Sequence, residues 1–496
     1  MTSHPPNIFS SINWNISSTI VSAIITIIFG AILARLLGPA AYGIIAIANL
    51  TNAFARYFVR MGIGPAIIQS GNPSSNDIDF VVTFSMGIGF LAAVIVALLS
   101  PLVALFFKQP GSTPVIAIMG LSLWFSAFSS SISGVLVRNM QFKQLAIIRL
   151  AQTFFSGASS IVMAYLGFGI WSLVWPLILG QFLGMLAIIN LVNRTYPLKP
   201  RFSFAGHDHL IKFGSLYSLN SLLEYFGSNL DTIFVGRLFS AFQLGLYNRA
   251  FSLAYLPSES LITSITSVMF PVFSRLQSSN EKFIETQNKL FLFIGLLSSS
   301  IAMGMIPAAR DITLVLLGSQ WLEAIPLLMI LLFGVPFDFM AATIAMTFDA
   351  SAKLGEKTRI QIVTILILLI GIFLLYPFGT VGIATALVLS SVIHFLIYVL
   401  QNQKTFSLSY YILFWNLTTI FLSGMATFFC SKTAAYLAKT MLLSPTLALF
   451  FEIIACLVVF ILFLIVNAPK LLGVKNLAQC FLTIKDFLNK KDEIII

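Results

Sequence analysis

The sequence predicts an all-α polytopic membrane protein of about fourteen transmembrane helices, and three observations carry that prediction. Of 496 residues, 58% are hydrophobic and only 9% charged, whereas a soluble domain carries about 25% charged residues. Segments such as "FVVTFSMGIGFLAAVIVALLSPLVALFF" and "QIVTILILLIGIFLLYPF" are long enough to supply the roughly 17–25 apolar residues that cross a bilayer. These runs are continuously apolar, where strands of a membrane barrel alternate polar and apolar over about ten residues.

The fourteen expected spans lie near Trp14–Leu37, Tyr42–Ile68, Val81–Phe107, Val115–Val137, Leu145–Leu166, Ile170–Val192, Phe213–Phe239, Leu244–Phe270, Leu290–Ile312, Ala324–Phe348, Ile360–Phe378, Gly382–Leu400, Tyr411–Ala434 and Pro445–Val466. The turns after Leu37 and Phe239 are expected to be four or five residues long. Lys and Arg decide the orientation. Counting those at a span end with the adjoining loop, nineteen of the 28 go with the even-numbered loops and the tail, six with the odd-numbered loops, and three lie deeper inside spans. That bias predicts both termini in the cytoplasm, which requires an even number of spans. The net charge of +11 is spread between apolar spans, so it reads as a topology signal and not as a nucleic-acid surface. "MTSHPPNIFSSINWN" has no basic residue and no small-residue cleavage site, unlike a cleavable signal peptide.

A short motif occurs twice. "LARLLGPAAYG" ends at Gly43 and "VGRLFSAFQLG" at Gly245, and Arg35 and Arg237 occupy matching places in the two copies. Arg35 closes the first span and Arg237 the seventh, so six spans separate them and the halves share one orientation. A parallel repeat of two six-helix bundles is a recurring transporter plan. In each copy the glycine reads as a helix start or stop, and the arginine as a partner for the C-terminal dipole. The expected domains are therefore 1–200 and 201–404 as six-helix lobes, 405–468 as two additional helices, and 469–496 as a basic cytoplasmic tail on the membrane surface.

Catalytic signatures are missing. There is no Gly-Lys dipeptide for a phosphate-binding loop, no GxGxxG and no HExxH. The three cysteines, Cys430, Cys456 and Cys480, form no CxxC, which leaves disulfide and zinc readings without support. The longest polar connection, Asn193 to about Lys212, is too short for a soluble catalytic domain. Neither catalytic residues, cofactor nor metal is expected.

What remains is charge within the spans, each costing about 2.5–3.5 kcal/mol on insertion scales and so reserved for a cavity or a partner. The set is Arg56, Arg60, Glu224, Asp231, Arg249, Glu259, Asp338, His394 and Glu452, with Arg149 near the inner end of span five. Arg56 and Arg60 share one helix face, with Arg56 roughly 20 Å deep. Glu224 and Asp231 share a face of span seven. Arg60 and Arg249 can instead snorkel to an interface, His394 reads as a packing histidine and Glu452 as peripheral. An arginine pair inside a membrane suits an anionic ligand, because guanidinium matches phosphate geometry with paired donors. Tyr57, Asn49, Asn52, Trp14, Asn15 and Asn229 are weaker candidates to face sugars.

At these residues the chain resembles a known family. "LARLLGPAAYGIIAIANLTNAFARYFVRMGIGPAIIQ" and "NLDTIFVGRLFSAFQLGLYNRAFSLAYLPSESLITSITSVMFPVFSRLQ" resemble the polysaccharide-transport branch of the multidrug/oligosaccharidyl-lipid/polysaccharide exporter superfamily, nearest to its colanic-acid and O-antigen flippases. The resemblance covers about Ile12 to Leu400. It implies two six-helix lobes forming a V around a cavity open alternately to each side. The implied substrate is an undecaprenyl-pyrophosphate-linked oligosaccharide, moved from the inner to the outer leaflet of the bacterial cytoplasmic membrane. On this resemblance Arg56, Arg60, Arg149 and Arg249 are the expected pyrophosphate ligands. Glu224, Asp231 and Asp338 are the expected sites for a proton or sodium counter-ion. Membrane lipids and a polysaccharide polymerase are the expected partners. Ser240 departs from the glycine usual in relatives after the second Arg-Leu turn. Two alternatives stay open: a cation-coupled drug exporter of the same superfamily, and a membrane glycan polymerase or acyltransferase.

Overall fold

The computed structural model describes residues 8–60, 75–138, 141–193, 225–277, 279–406 and 410–472, and within them the chain is helical with no strand. In order these are α1 (Ile8–Leu36), α2 (Pro39–Arg60), α3 (Ser75–Phe106), α4 (Thr113–Met119), α5 (Leu121–Arg138), α6 (Phe142–Tyr165) and α7 (Trp171–Asn193). Then follow α8 (residues 225–238), α9 (Ala241–Leu276), α10 (Asn280–Ile312), α11 (Ile325–Ala350), α12 (Leu354–Leu375), α13 (Gly379–Phe406), α14 (Tyr410–Thr440) and α15 (Pro445–Leu472). Nine described stretches are long and apolar enough to cross a membrane. One of them, Leu354–Phe406, holds both α12 and α13, which part at Gly379, where φ is 74°. Another, Pro110–Gly134, joins α4 to most of α5. The helices α2 and α9 are not among the nine. They carry more polar residues and most of the candidate arginines.

Contacts divide the chain into two units. Unit 1 is Met1–Arg249 with Leu316–Gln320, and unit 2 is Ala250–Val315 with Trp321–Ile496. The boundary expected at 200/201 lies outside the described residues. In unit 1, α3 packs on α5, α5 on α7, and α6 on α7. In unit 2, α10 packs on α11, α11 on α13, and α12 on α13. These are the same three pairings six spans later, so the repeat seen in the motif extends to the helix packing.

Each unit has its own apolar core. In unit 1, Val82, Ile132, Leu136, Leu145, Ile188 and Val192 form one cluster. In unit 2 a larger cluster centres on Phe291, Phe348, Phe395 and Tyr398. Lipid offers apolar side chains no advantage in leaving it, so close backbone approach and hydroxyl bonds supply helix association in a membrane. The last helix pair follows that rule. Ser299 donates to the Ile420 carbonyl at 3.3 Å, Ser300 and Ser423 meet at 3.0 Å, and Ser431 donates to the Gly304 carbonyl at 2.8 Å. These bonds seat α14 along α10 outside the repeated set.

The two motif copies differ from expectation in detail. The turns are two residues long, Leu37–Gly38 and Phe239–Ser240. In the first copy Pro39 occupies the first helical position, where its fixed φ suits the start and its missing N–H is no loss. In the second, the Gln243 N–H donates to Ser240 Oγ at 3.3 Å and the Ser240 N–H to Gln243 Oε1 at 3.4 Å. This is a reciprocal capping box, and it gives Ser240 a reason to stand where glycine was expected. Gly43 and Gly245 neither start nor end a helix, since each is the fifth residue of its own. Gln320 caps the first copy by donating to the carbonyls of Ala34 and Leu37 at 2.7 and 3.3 Å.

Candidate functional site

The two repeated glycines meet. A Cβ at Gly43 would lie 1.8 Å from the Ala241 carbonyl oxygen, and one at Gly245 would lie 1.9 Å from the Pro39 carbonyl oxygen. Each glycine therefore receives the first residue of the other's helix, and the starts of α2 and α9 cross backbone to backbone. Glycine permits that approach because any side chain would enter the facing peptide.

Around this crossing the candidate residues of unit 1 take their places. Arg249, two turns into α9, is half-buried and stacks its guanidinium 3.9 Å above the Tyr42 ring. It is held by a cation–π contact rather than extended to an interface. Arg56 is half-buried fourteen residues beyond Tyr42 on α2, roughly 20 Å further along the helix axis. Arg56 and Arg249 therefore stand at different depths of the unit. Arg56 neighbours an aromatic group that joins α2 to α8. Tyr57 and Phe54 lie 5.6 and 5.5 Å from the Tyr225 ring, and the Tyr225 hydroxyl donates to the Leu50 carbonyl at 3.0 Å. Arg60 is the last residue of α2, with its side chain outside the described set. Arg149 is exposed on α6, about two turns from its start.

The acidic candidates separate. Glu224 lies outside the described residues. Asp231 is 1% exposed in α8 and accepts hydrogen bonds from the Tyr247 hydroxyl at 2.6 Å and the Thr232 hydroxyl at 3.4 Å. Asp338 is half-buried in unit 2, on α11, and accepts from the Tyr255 hydroxyl. Tyr42, Tyr247 and Tyr255 were missed by the sequence reading, yet each contacts a candidate charge. Their signal is proximity on helices already singled out: Tyr247 and Tyr255 flank Arg249 on α9, and Tyr42 is the penultimate residue of the first motif. Asn52 does not face an open site. It is 3% exposed and donates to the Met119 carbonyl at 3.1 Å, tying α2 to α4. His394 is half-buried, with its ring 4.8 Å from Tyr398.

Unit 1 thus holds two separated guanidiniums and a buried carboxylate held by a tyrosine. Unit 2 offers a second carboxylate held the same way.

A family model described as "Polysaccharide biosynthesis protein" matches residues 32–326, a stretch that contains all four candidate arginines. The chain is similar to the lipopolysaccharide biosynthesis protein WzxC of Escherichia coli, 24% identical over 65% of this chain and 65% of that protein. It is also similar to the teichuronic acid biosynthesis protein TuaB of Bacillus subtilis, 22% identical over 67% of this chain and 68% of the other. Among solved structures it shares the fold of the lipid II flippase MurJ in an inward closed conformation. That match has a TM-score of 0.73 at 16% identity, over 92% of this chain and 98% of that one. An inward-facing multidrug-resistance MATE transporter matches with a TM-score of 0.60 at 15% identity, over 80% and 98%. The chain belongs to the polysaccharide biosynthesis protein family.

Proposed function

We propose that the protein is a flippase, not an enzyme, that carries an undecaprenyl-pyrophosphate-linked oligosaccharide from the inner to the outer leaflet of a bacterial cytoplasmic membrane, with both termini cytoplasmic. The observation that carries the reading is the family match across the helices that bear the arginines. Guanidinium presents paired donors to phosphate oxygens, and Arg56 and Arg249 offer it at two depths of one unit. On this reading Arg56 holds the head group and Arg60 recruits it from the inner leaflet. Arg149 and Arg249 serve its entry and exit. Glu224, Asp231 and Asp338 are the acids for a coupling proton or sodium ion, since a carboxylate that binds a cation in one conformation biases the equilibrium toward it. The glycine crossing is one closed position of an alternating-access cycle, and its release opens the path. The released oligosaccharide passes to a polysaccharide polymerase.

A deletion strain tests the reading. Lipid-linked oligosaccharide should accumulate on the inner leaflet while surface polysaccharide falls, and the intact gene should restore both. Normal surface polysaccharide without accumulation would remove this function.

A further inference from the structure

The helix α15 carries a charge that the transport reading does not use. Most of α15 is apolar and exposed along its length, as suits a helix against lipid. Ala448, Glu452 and Asn467 are the buried positions among its described residues, and Glu452, 1% exposed, points into unit 2 and is not peripheral. Both carboxylate oxygens are buried and neither has a hydrogen-bond partner among the described residues.

The neighbours define what this position can hold. α15 packs on α10 and α14. One turn below Glu452, Cys456 Sγ lies 2.5 Å from where a Cβ would stand on Gly304, so α15 and α10 approach closely there. From that point Glu452 rises about 6 Å along α15, which brings it to the level of Ala308 on antiparallel α10, below Asp311. Asp311 is half-buried, and it is the charged group that acts on Glu452. Exposed Arg310 stands beside it. On α14, Cys430 is half-buried and Lys432 is exposed. The Ser431 hydroxyl is already donated to Gly304. Among the described residues Glu452 thus has an acid as its charged neighbour and no cation paired with it.

An ionised carboxylate buried without partners is untenable, and such a group takes up a proton instead. A metal ion is a poor alternative, because no three His, Cys, Asp or Glu come together among the described residues. We propose that Glu452 is a proton-binding site of the C-terminal unit, loaded through Asp311, whose loss of the proton loosens α15 from α10. The proton enters at the half-buried Asp311 carboxyl, transfers to Glu452 and leaves by the same route, so each step moves one proton between two carboxyl groups. Glu452 lies outside the six-span repeat, whereas Asp311 belongs to α10 within it. The role of Glu452 as a coupling site rests on the transport reading above; the proton itself does not.

Infrared spectroscopy of the full chain in lipid tests the proton. At neutral pH the wild type should show the carbonyl stretch of a buried protonated carboxylic acid, and Glu452→Gln should lose it. Glu285→Gln should leave it in place, since that exposed carboxylate is paired with Lys289 at 2.7 Å. Asp311→Asn should slow the shift of the band in heavy water, a readout that holds even if Glu452→Gln folds poorly. An unchanged spectrum in Glu452→Gln, or exchange unaffected by Asp311→Asn, overturns the site. The coupling role is read separately, by transport in proteoliposomes with and without a proton gradient. Glu452→Gln should transport without responding to the gradient. A full response in that variant would make the proton purely structural. Absence of transport by the wild type would instead count against the flippase reading and leave the infrared result standing.

Discussion

Replacing Gly43 with alanine puts one carbon 1.8 Å from the Ala241 carbonyl oxygen. That atom belongs to the backbone of α9 and cannot rotate away, so the helix starts must part until the contact reaches the 3.4 Å of ordinary van der Waals distance. Overpacking of this kind costs about 1–3 kcal/mol, which corresponds to a shift of roughly 5–150-fold against the crossed conformation. The cost is escaped in any state where α2 and α9 separate, so the substitution acts on the balance between conformations more than on folding. Gly245→Ala should do the same through the Pro39 carbonyl, 1.9 Å away. The assay is labelling of a single cysteine at Leu244, a fully buried position beside the crossing, in a background without the three native cysteines. A membrane-impermeant thiol reagent should label Leu244→Cys slowly in the parent and faster, by a factor within that range, when Gly43→Ala is added. Equal labelling in a protein that still folds would refute the steric argument.

Three further outcomes follow from the described contacts. Arg56→Lys keeps the charge but loses the paired donors, so transport should fall, and Arg56→Ala should lower it further with the protein still in the membrane; surface-polysaccharide output checks this. Tyr247→Phe leaves the buried Asp231 oxygen without its 2.6 Å donor, and a loss of about 1–3 kcal/mol is expected, read as a lower thermal midpoint with Asp231→Asn partly relieving it. Reporter fusions after Lys108 and after Lys353 should sit on opposite sides of the membrane, and matching sides would refute the orientation drawn from Lys and Arg.

Much of the fold was legible because hydropathy and helix length are local properties. The apolar runs led to the order of helices now described, including α12 and α13, which a continuous apolar stretch runs together. The repeat was legible from two short motifs, and the matching packing in units 1 and 2 supports it. The role of the repeated glycines was not legible. A glycine after an Arg-Leu turn looks like a cap, and only three-dimensional proximity brings Gly43 and Gly245 together across 202 positions of sequence. The Ser240–Gln243 box was within reach of sequence rules and was passed over because a glycine was expected there. Facing was the least legible property of all. In an apolar helix such as α15, periodicity is weak, so nothing in the sequence distinguished a Glu452 at the lipid surface from one inside the unit. Asn52 was misjudged for the same reason, since an amide turned into a packed seam reads like one turned into a cavity. Arg60 and Glu224 stay as expectations, for their side chains lie outside the described residues.

The central claim is movement of a pyrophosphate-linked oligosaccharide across the bilayer by an arginine-bearing path. The most direct measurement reconstitutes the purified chain in vesicles loaded with undecaprenyl-pyrophosphate-linked oligosaccharide and follows its exposure to a membrane-impermeant lectin or oxidant. The account predicts fast exposure with the intact protein, slow exposure with Arg56→Ala combined with Arg60→Ala, and none of this acceleration for a neutral lipid-linked sugar. Equal exposure from the double variant and the intact protein, or equal handling of the neutral lipid, would contradict it.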